Sequence, residues 1–323
     1  MLFHGILGYI DLIQVSRPKN RNLELAELFA KLSYVEETKQ FANEGLPTPQ
    51  SNELQIQSAT PDNPPWNIRE AVAIWVLSVL AIVIIPSIFL VSYLVAVRRQ
   101  VSENEQLLNW ITSDPTAVFL QIIGIIPAHI VTILIAWLVV TKMRKFSFRQ
   151  TLGWNSGGMA WWHYIAILMG FFALAGVVGT YFPEQENDLI RMLRSSRSAV
   201  YIVAFMATFT APLVEEVVYR GILYSAFQRT FGVPFAVIIV TFLFAIVHVP
   251  QYYPSFSTIF LLTLLSLILT LVRVRTNNLL PCIILHTIFN GFQSILLVLD
   301  PYLPKTVFST DPSAAIQHLL HTF

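Results

Sequence analysis

Residues 211–220 read Ala211-Pro212-Leu213-Val214-Glu215-Glu216-Val217-Val218-Tyr219-Arg220, and the run 199–214 that leads into the two glutamates carries no charge. Ionisable groups at membrane depth are costly, so they are kept out of lipid and mark working sites. One reading ends a span at Val214 and lets the glutamates begin a loop. Against it, apolar residues continue through Val217, Val218, Ile222, Leu223, Ala226 and Phe227, with Gly221 the only breaker. A helix over about 198–229 puts both glutamates near its middle. Glu216 and Arg220 then share a face at i, i+4 and are expected to pair. Glu215 points about 100° away from Glu216, free to face a cavity.

The composition supports membrane depth. Of 323 residues, 55% are hydrophobic and 12% are charged, with mean hydropathy +0.62. A soluble chain of this length carries about twice that charge, so the fold class is all-α, a polytopic transmembrane bundle. A formal net charge of +1 gives no electrostatic case for nucleic acid. The single cysteine, Cys282, excludes an internal disulfide framework and a cysteine-rich metal site. Residues 1–15 lack a basic leader and do not read as a signal peptide.

Three regions follow. Residues 1–65 are polar and non-spanning. Leu25, Leu28, Phe29, Leu32 and Val35 recur there at helical spacing, as in an amphipathic helix. The stretch 45–65, rich in proline, reads as a linker. Residues 66–300 form the transmembrane domain and 301–323 a tail. The expected spans are 71–97, 116–141, 161–182, the motif helix, 233–249, 256–272 and 279–299, each near the roughly 20 residues that cross the hydrocarbon core. The loops after spans two, four and six carry Lys142, Arg144, Lys145, Arg149, Arg229, Arg273 and Arg275, against Arg98, Arg99, Arg191, Arg194 and Arg197 on the other side. That bias favours a cytoplasmic amino terminus.

Two further polar clusters lie on spans. Phe244-Ala-Ile-Val-His248 is near the end of span five and His286-Thr-Ile-Phe-Asn290 is inside span seven. Each pairs its end residues on one helix face. Counted from the helix ends, Glu215 and His248 lie at matching depths of roughly 21–23 Å, whereas His286 lies only about 10 Å in. A tilted seventh helix, or an inward dip of 273–278, is needed to bring it level. His-x-x-x-Asn alone occurs often by chance, but three such clusters in order within 76 residues are hard to explain as packing. The set Glu-Glu-x-x-x-Arg, Phe-x-x-x-His, His-x-x-x-Asn resembles the CPBP family, which includes type II CAAX prenyl proteases and bacteriocin-immunity proteins, over about 161–299. The resemblance implies an intramembrane endopeptidase whose motif residues meet in a cavity within the membrane.

The residue types suit amide hydrolysis, which needs an activated water and donors for the oxyanion. Glu215 is the expected base, and His248 orients the water and shuttles a proton to the leaving amine. His286 and Asn290 are expected oxyanion donors. Glu216 and Arg220 support the motif helix, and Phe244 packs or shapes a substrate groove. A rival mechanism makes Glu215, His248 and His286 a His/His/carboxylate zinc set with a fourth position for water. The resemblance favours the metal-independent version, and no cofactor is assigned. The implied partners are the bilayer and a membrane-tethered, CAAX-like protein or peptide. A transporter and a silent scaffold or immunity protein are the other classes, although no internal repeat of the kind transporters use is visible. His129 and Gln121 are expected to make interhelical polar contacts, and His163 to sit at the interface. Ala175 and Gly179 suit close helix packing. Cys282 is read as a structural thiol, and His318 and His321 carry no metal assignment.

Overall fold

The computed structural model describes residues 59–97, 104–185, 190, 192–193, 196–299 and 302. The amphipathic segment around residues 24–36 and the tail histidines lie outside them. Seven helices are long and apolar enough to cross a membrane: Ile68–Ala96, Pro115–Thr141, Trp161–Tyr181, Arg197–Phe231, Val233–Tyr252, Phe256–Thr276 and Leu280–Leu299, hereafter spans one to seven. No strand occurs among the described residues. Large apolar side chains such as Val83, Ile130, Ile238, Phe242 and Ile295 face outward. That surface suits lipid, where every backbone polar group must be satisfied inside its own helix. The chain is an integral, multi-pass membrane protein.

Span one begins with a capping box. The Asn67 side chain accepts from Glu70 N at 3.0 Å, and the Glu70 carboxylate accepts from Asn67 N at 2.8 Å. Span two breaks at Gly124, where an added Cβ would lie 2.8 Å from the Pro86 backbone of span one. The two helices therefore cross as closely as backbones allow. One apolar core joins spans one, two, four and five around Trp66, Ile222 and Phe244. A second joins spans three, six and seven around Phe171, Leu269 and Phe289.

Three features differ from the sequence reading, and a fourth is one of the two alternatives it left for the depth of His286. Span six runs on to Thr276, past the expected end at 272, because Arg273 is buried and hydrogen-bonded rather than solvated in a loop. It is thus not a loop arginine in the charge balance. Residues 59–65, the described end of the proline-rich run, are pinned to the bundle. Arg229 donates to the carbonyls of Pro64 at 2.7 Å and Trp66 at 3.1 Å, and Asp62 accepts from Gln228 and Asn277. Gly179 meets nothing within 4 Å, so of the small pair of span three only Ala175 packs against the second core. Finally, the turn into span seven dips inward. Leu279 N and Leu280 N both donate to Gly153 O, at 2.8 and 3.3 Å. A Cβ on Gly157, at φ 57°, would lie 2.5 Å from Thr276 Cβ. With Leu279 fully buried, span seven starts inside the bundle, and His286 sits deeper than its residue count implies.

Candidate active site

Span four is one helix of 35 residues with two π-helical stretches, Met206–Thr210 and Val217–Leu223. Such insertions are frequent at functional sites because they turn a side chain out of α-register. The first has a local cause. Ala211 N donates to Met206 O, five residues back. The next carbonyl in that register, Ala207, faces Pro212, which has no N–H. Asn290 of span seven supplies the missing donor, its Nδ2 reaching Ala207 O at 2.9 Å. The second stretch is satisfied the same way. Trp66 Nε1 donates to Ile222 O at 3.0 Å, and Arg273 Nε to Arg220 O at 3.2 Å.

Between the stretches the adjacent glutamates part. Glu216 is fully buried and its Oε1 accepts from Arg220 Nη1 at 2.9 Å and from His286 Nδ1 at 2.8 Å. Arg220 also donates from Nη2 to Ser266 O and Oγ, each at 2.8 Å, and from Nε to Thr270 Oγ1 at 3.3 Å. Its guanidinium lies 4.7 Å from the centroid of the Phe244 ring. Buried charge is tolerated when it is paired and hydrogen-bonded. Arg220 is engaged through Nε, Nη1 and Nη2, and Glu216 through Oε1 alone, its Oε2 being buried with no hydrogen-bond partner among the described residues.

Glu215 is 21% exposed, with Oε1 4.0 Å from His248 Nε2 and Oε2 3.8 Å from His286 Nε2. Both separations exceed a hydrogen bond and are of the size a water bridges. The tautomers follow from the other ring nitrogens. His248 Nδ1 lies 2.7 Å from Phe244 O, and a carbonyl only accepts, so that nitrogen carries a proton. Glu216 Oε1 already accepts from Arg220, so His286 Nδ1 donates to it as well. Both histidines therefore turn Nε2 towards Glu215.

The structure brings together Glu215, Glu216, Arg220, Phe244, His248 and His286. Asn290 is held one turn further along span seven, on the backbone of span four. Phe244 is buried beneath Arg220 and against Tyr219. His129 contacts Thr210 Oγ1 at 2.9 Å, Gln121 donates to Ile111 O, and Cys282 is buried. Sequence reasoning did not single out Ser266 and Thr270. Their i, i+4 spacing on span six was the available signal. Arg273 reads in the sequence as a loop residue, and Tyr252 continues the face of Phe244 and His248 at the same i, i+4 spacing.

Residues 197–292 match the family model of type II CAAX prenyl endopeptidase Rce1-like. Over that core the chain is similar to the CAAX protease family. The match is narrower than the resemblance over 161–299 and leaves span three outside it. No curated protein and no solved structure matches the chain. The match over 197–292 is to an endopeptidase family and does not favour a transporter or scaffold. For zinc, the donor types around Glu215 are suitable but their spacing is not. Ligands about 2.0–2.2 Å from a tetrahedral zinc stand roughly 3.3 Å apart, against 3.8 and 4.0 Å. Among the described residues no three histidine, cysteine, aspartate or glutamate side chains are grouped closely enough to hold a metal.

Proposed function

We propose that the chain hydrolyses a peptide bond of a membrane-tethered protein or peptide, of the prenylated CAAX type, by direct activation of water at Glu215. The observation that carries this reading is the Glu215 carboxylate facing Nε2 of both His248 and His286, beside a second carboxylate whose charge is already met by Arg220. A water bridging Glu215 and His248 gives one proton to Glu215 as its oxygen bonds to the scissile carbon. His248 holds the second water hydrogen on Nε2 and relays a proton to the departing amine. His286, fixed through Nδ1 on Glu216, donates to the oxyanion from Nε2 when it carries its second proton, and Asn290 adds the amide N–H not used on Ala207. One such donor is worth about 3 kcal/mol of barrier. Glu216 and Arg220 act by positioning. Lys142, Arg144, Lys145, Arg149 and Arg275 stand at the end of the bundle that carries residues 59–66, which favours the cytoplasm for that end.

The test is cleavage of a membrane-tethered peptide set, farnesylated CAAX peptides included, by purified wild type and Glu215→Gln, with and without chelator and with bound zinc measured. Cleavage that needs Glu215 and survives chelation supports direct water activation. Activity lost with zinc moves Glu215, His248 and His286 into a metal site. No cleavage at all refutes the endopeptidase reading. Cysteines placed singly in residues 59–66, in a background with Cys282 replaced, report the sidedness. The same labelling decides which face the His248–Tyr252 end of the site meets.

A further inference from the structure

An oxyanion needs a donor that is not already committed, and most hydrogens around Glu215 are. His248 spends its Nδ1 proton on Phe244 O, His286 spends its own on Glu216, and Asn290 spends one of its two amide hydrogens on Ala207 O. Tyr252 differs. It follows His248 by one turn, and a helical side chain leans back over the turn before its own Cα. Its ring accordingly lies nearly parallel to the His248 imidazole, with centroids 6.5 Å apart and planes at 22°. The residue is half-buried, and its hydroxyl makes no hydrogen bond among the described residues. It also stands within electrostatic reach of Glu215 on span four and of Glu184 in the loop after span three. Glu184 itself accepts from Thr258 Oγ1 at 3.1 Å.

We propose that the Tyr252 hydroxyl is a further catalytic group, the donor that meets the carbonyl oxygen of the scissile bond. The inference rests on Glu215 being the base. As the water oxygen bonds to the carbonyl carbon, one water proton passes to Glu215 and the C=O electron pair moves onto oxygen. Tyr252 donates a hydrogen bond to that oxygen and keeps its proton throughout. Collapse of the intermediate reforms C=O, breaks C–N and delivers a proton through His248 to nitrogen, leaving an acid and an amine.

Tyr252→Phe retains the ring on His248 and deletes only the donor. On a fluorogenic farnesylated CAAX peptide, kcat should fall about 100-fold, with KM within about twofold of wild type and thermal stability unchanged. Binding of a phosphinate peptide, a tetrahedral mimic, should weaken by a similar factor. Glu215→Gln is measured alongside. A dead Glu215→Gln with an unchanged kcat in Tyr252→Phe overturns the inference and leaves the base in place. A raised KM at constant kcat overturns it too, making Tyr252 a substrate contact. Activity in Glu215→Gln, or none in wild type, removes the base and this inference with it.

Discussion

Glu216→Gln removes one charge from a pair with both side chains at 0% exposure. Arg220 keeps its bonds to Ser266 and Thr270, so the loss is the compensation of a buried guanidinium. Removing one partner of such a pair costs about 3–5 kcal/mol. Glutamine retains a carbonyl that can accept from Arg220 and His286, which places the expectation near 3 kcal/mol. At 1.4 kcal/mol per tenfold, this opens the protein roughly 150-fold more often. Cys282 is the assay. It is the sole cysteine and fully buried, so maleimide reaches it only in opened molecules. When reclosing outpaces labelling, the rate tracks the open population. Labelling of Glu216→Gln should therefore run about two orders of magnitude faster than wild type in the same detergent. Removing both charges, as Glu216→Gln with Arg220→Met, should recover most of that difference, because an apolar replacement of a buried pair is near neutral. A single variant within about fivefold of wild type, or a double variant no better than the single, refutes the account of a compensated buried pair.

Glu215→Gln should abolish cleavage while Cys282 labelling stays within about twofold of wild type, because the Glu215 carboxylate approaches its histidine partners only to 3.8 and 4.0 Å. Asn290→Ala should destabilise by about 1–3 kcal/mol, the cost of leaving the Ala207 carbonyl without its donor, and Cys282 labelling checks this. Gly157→Ala should lower the unfolding temperature in detergent and reduce kcat. It places a Cβ 2.5 Å from Thr276 Cβ at φ 57°, which displaces the turn that sets the depth of span seven.

The features legible in the sequence were the local ones. Apolar run lengths located seven spans, and the i, i+4 interval placed Glu216 opposite Arg220. The depth of His286 was not legible, because it depends on Gly153 O receiving Leu279 N and on a glycine that lets Thr276 approach. Both contacts join segments more than a hundred residues apart. Arg273 misled for the opposite reason. Charge near an apolar boundary normally ends a span, but here the side chain turns inward to Arg220 O, Asn277 Oδ1 and Ser225 Oγ. The π-helical stretches left only Pro212 as a local trace, and its consequence is visible once Asn290 is seen on Ala207 O.

Two identical neighbours in the sequence thus acquire different surroundings from the tertiary fold, and environment is what divides paired carboxylates between roles. About 100° of helix rotation separates them. That turns Glu216 towards Arg220 of its own helix, while Ser266 and Thr270 of span six fix the guanidinium and His286 arrives from span seven. Every partner of Glu216 Oε1 is within 3 Å, which suits the positioning role proposed for it. Glu215 faces two imidazole nitrogens that stand back by nearly 4 Å, and a carboxylate left that free suits the proposed role of base. Only Arg220 was near enough in sequence to announce this division. The other groups that enforce it lie between 50 and 70 residues away, which is why replacing the two glutamates by glutamine in turn should separate stability from turnover.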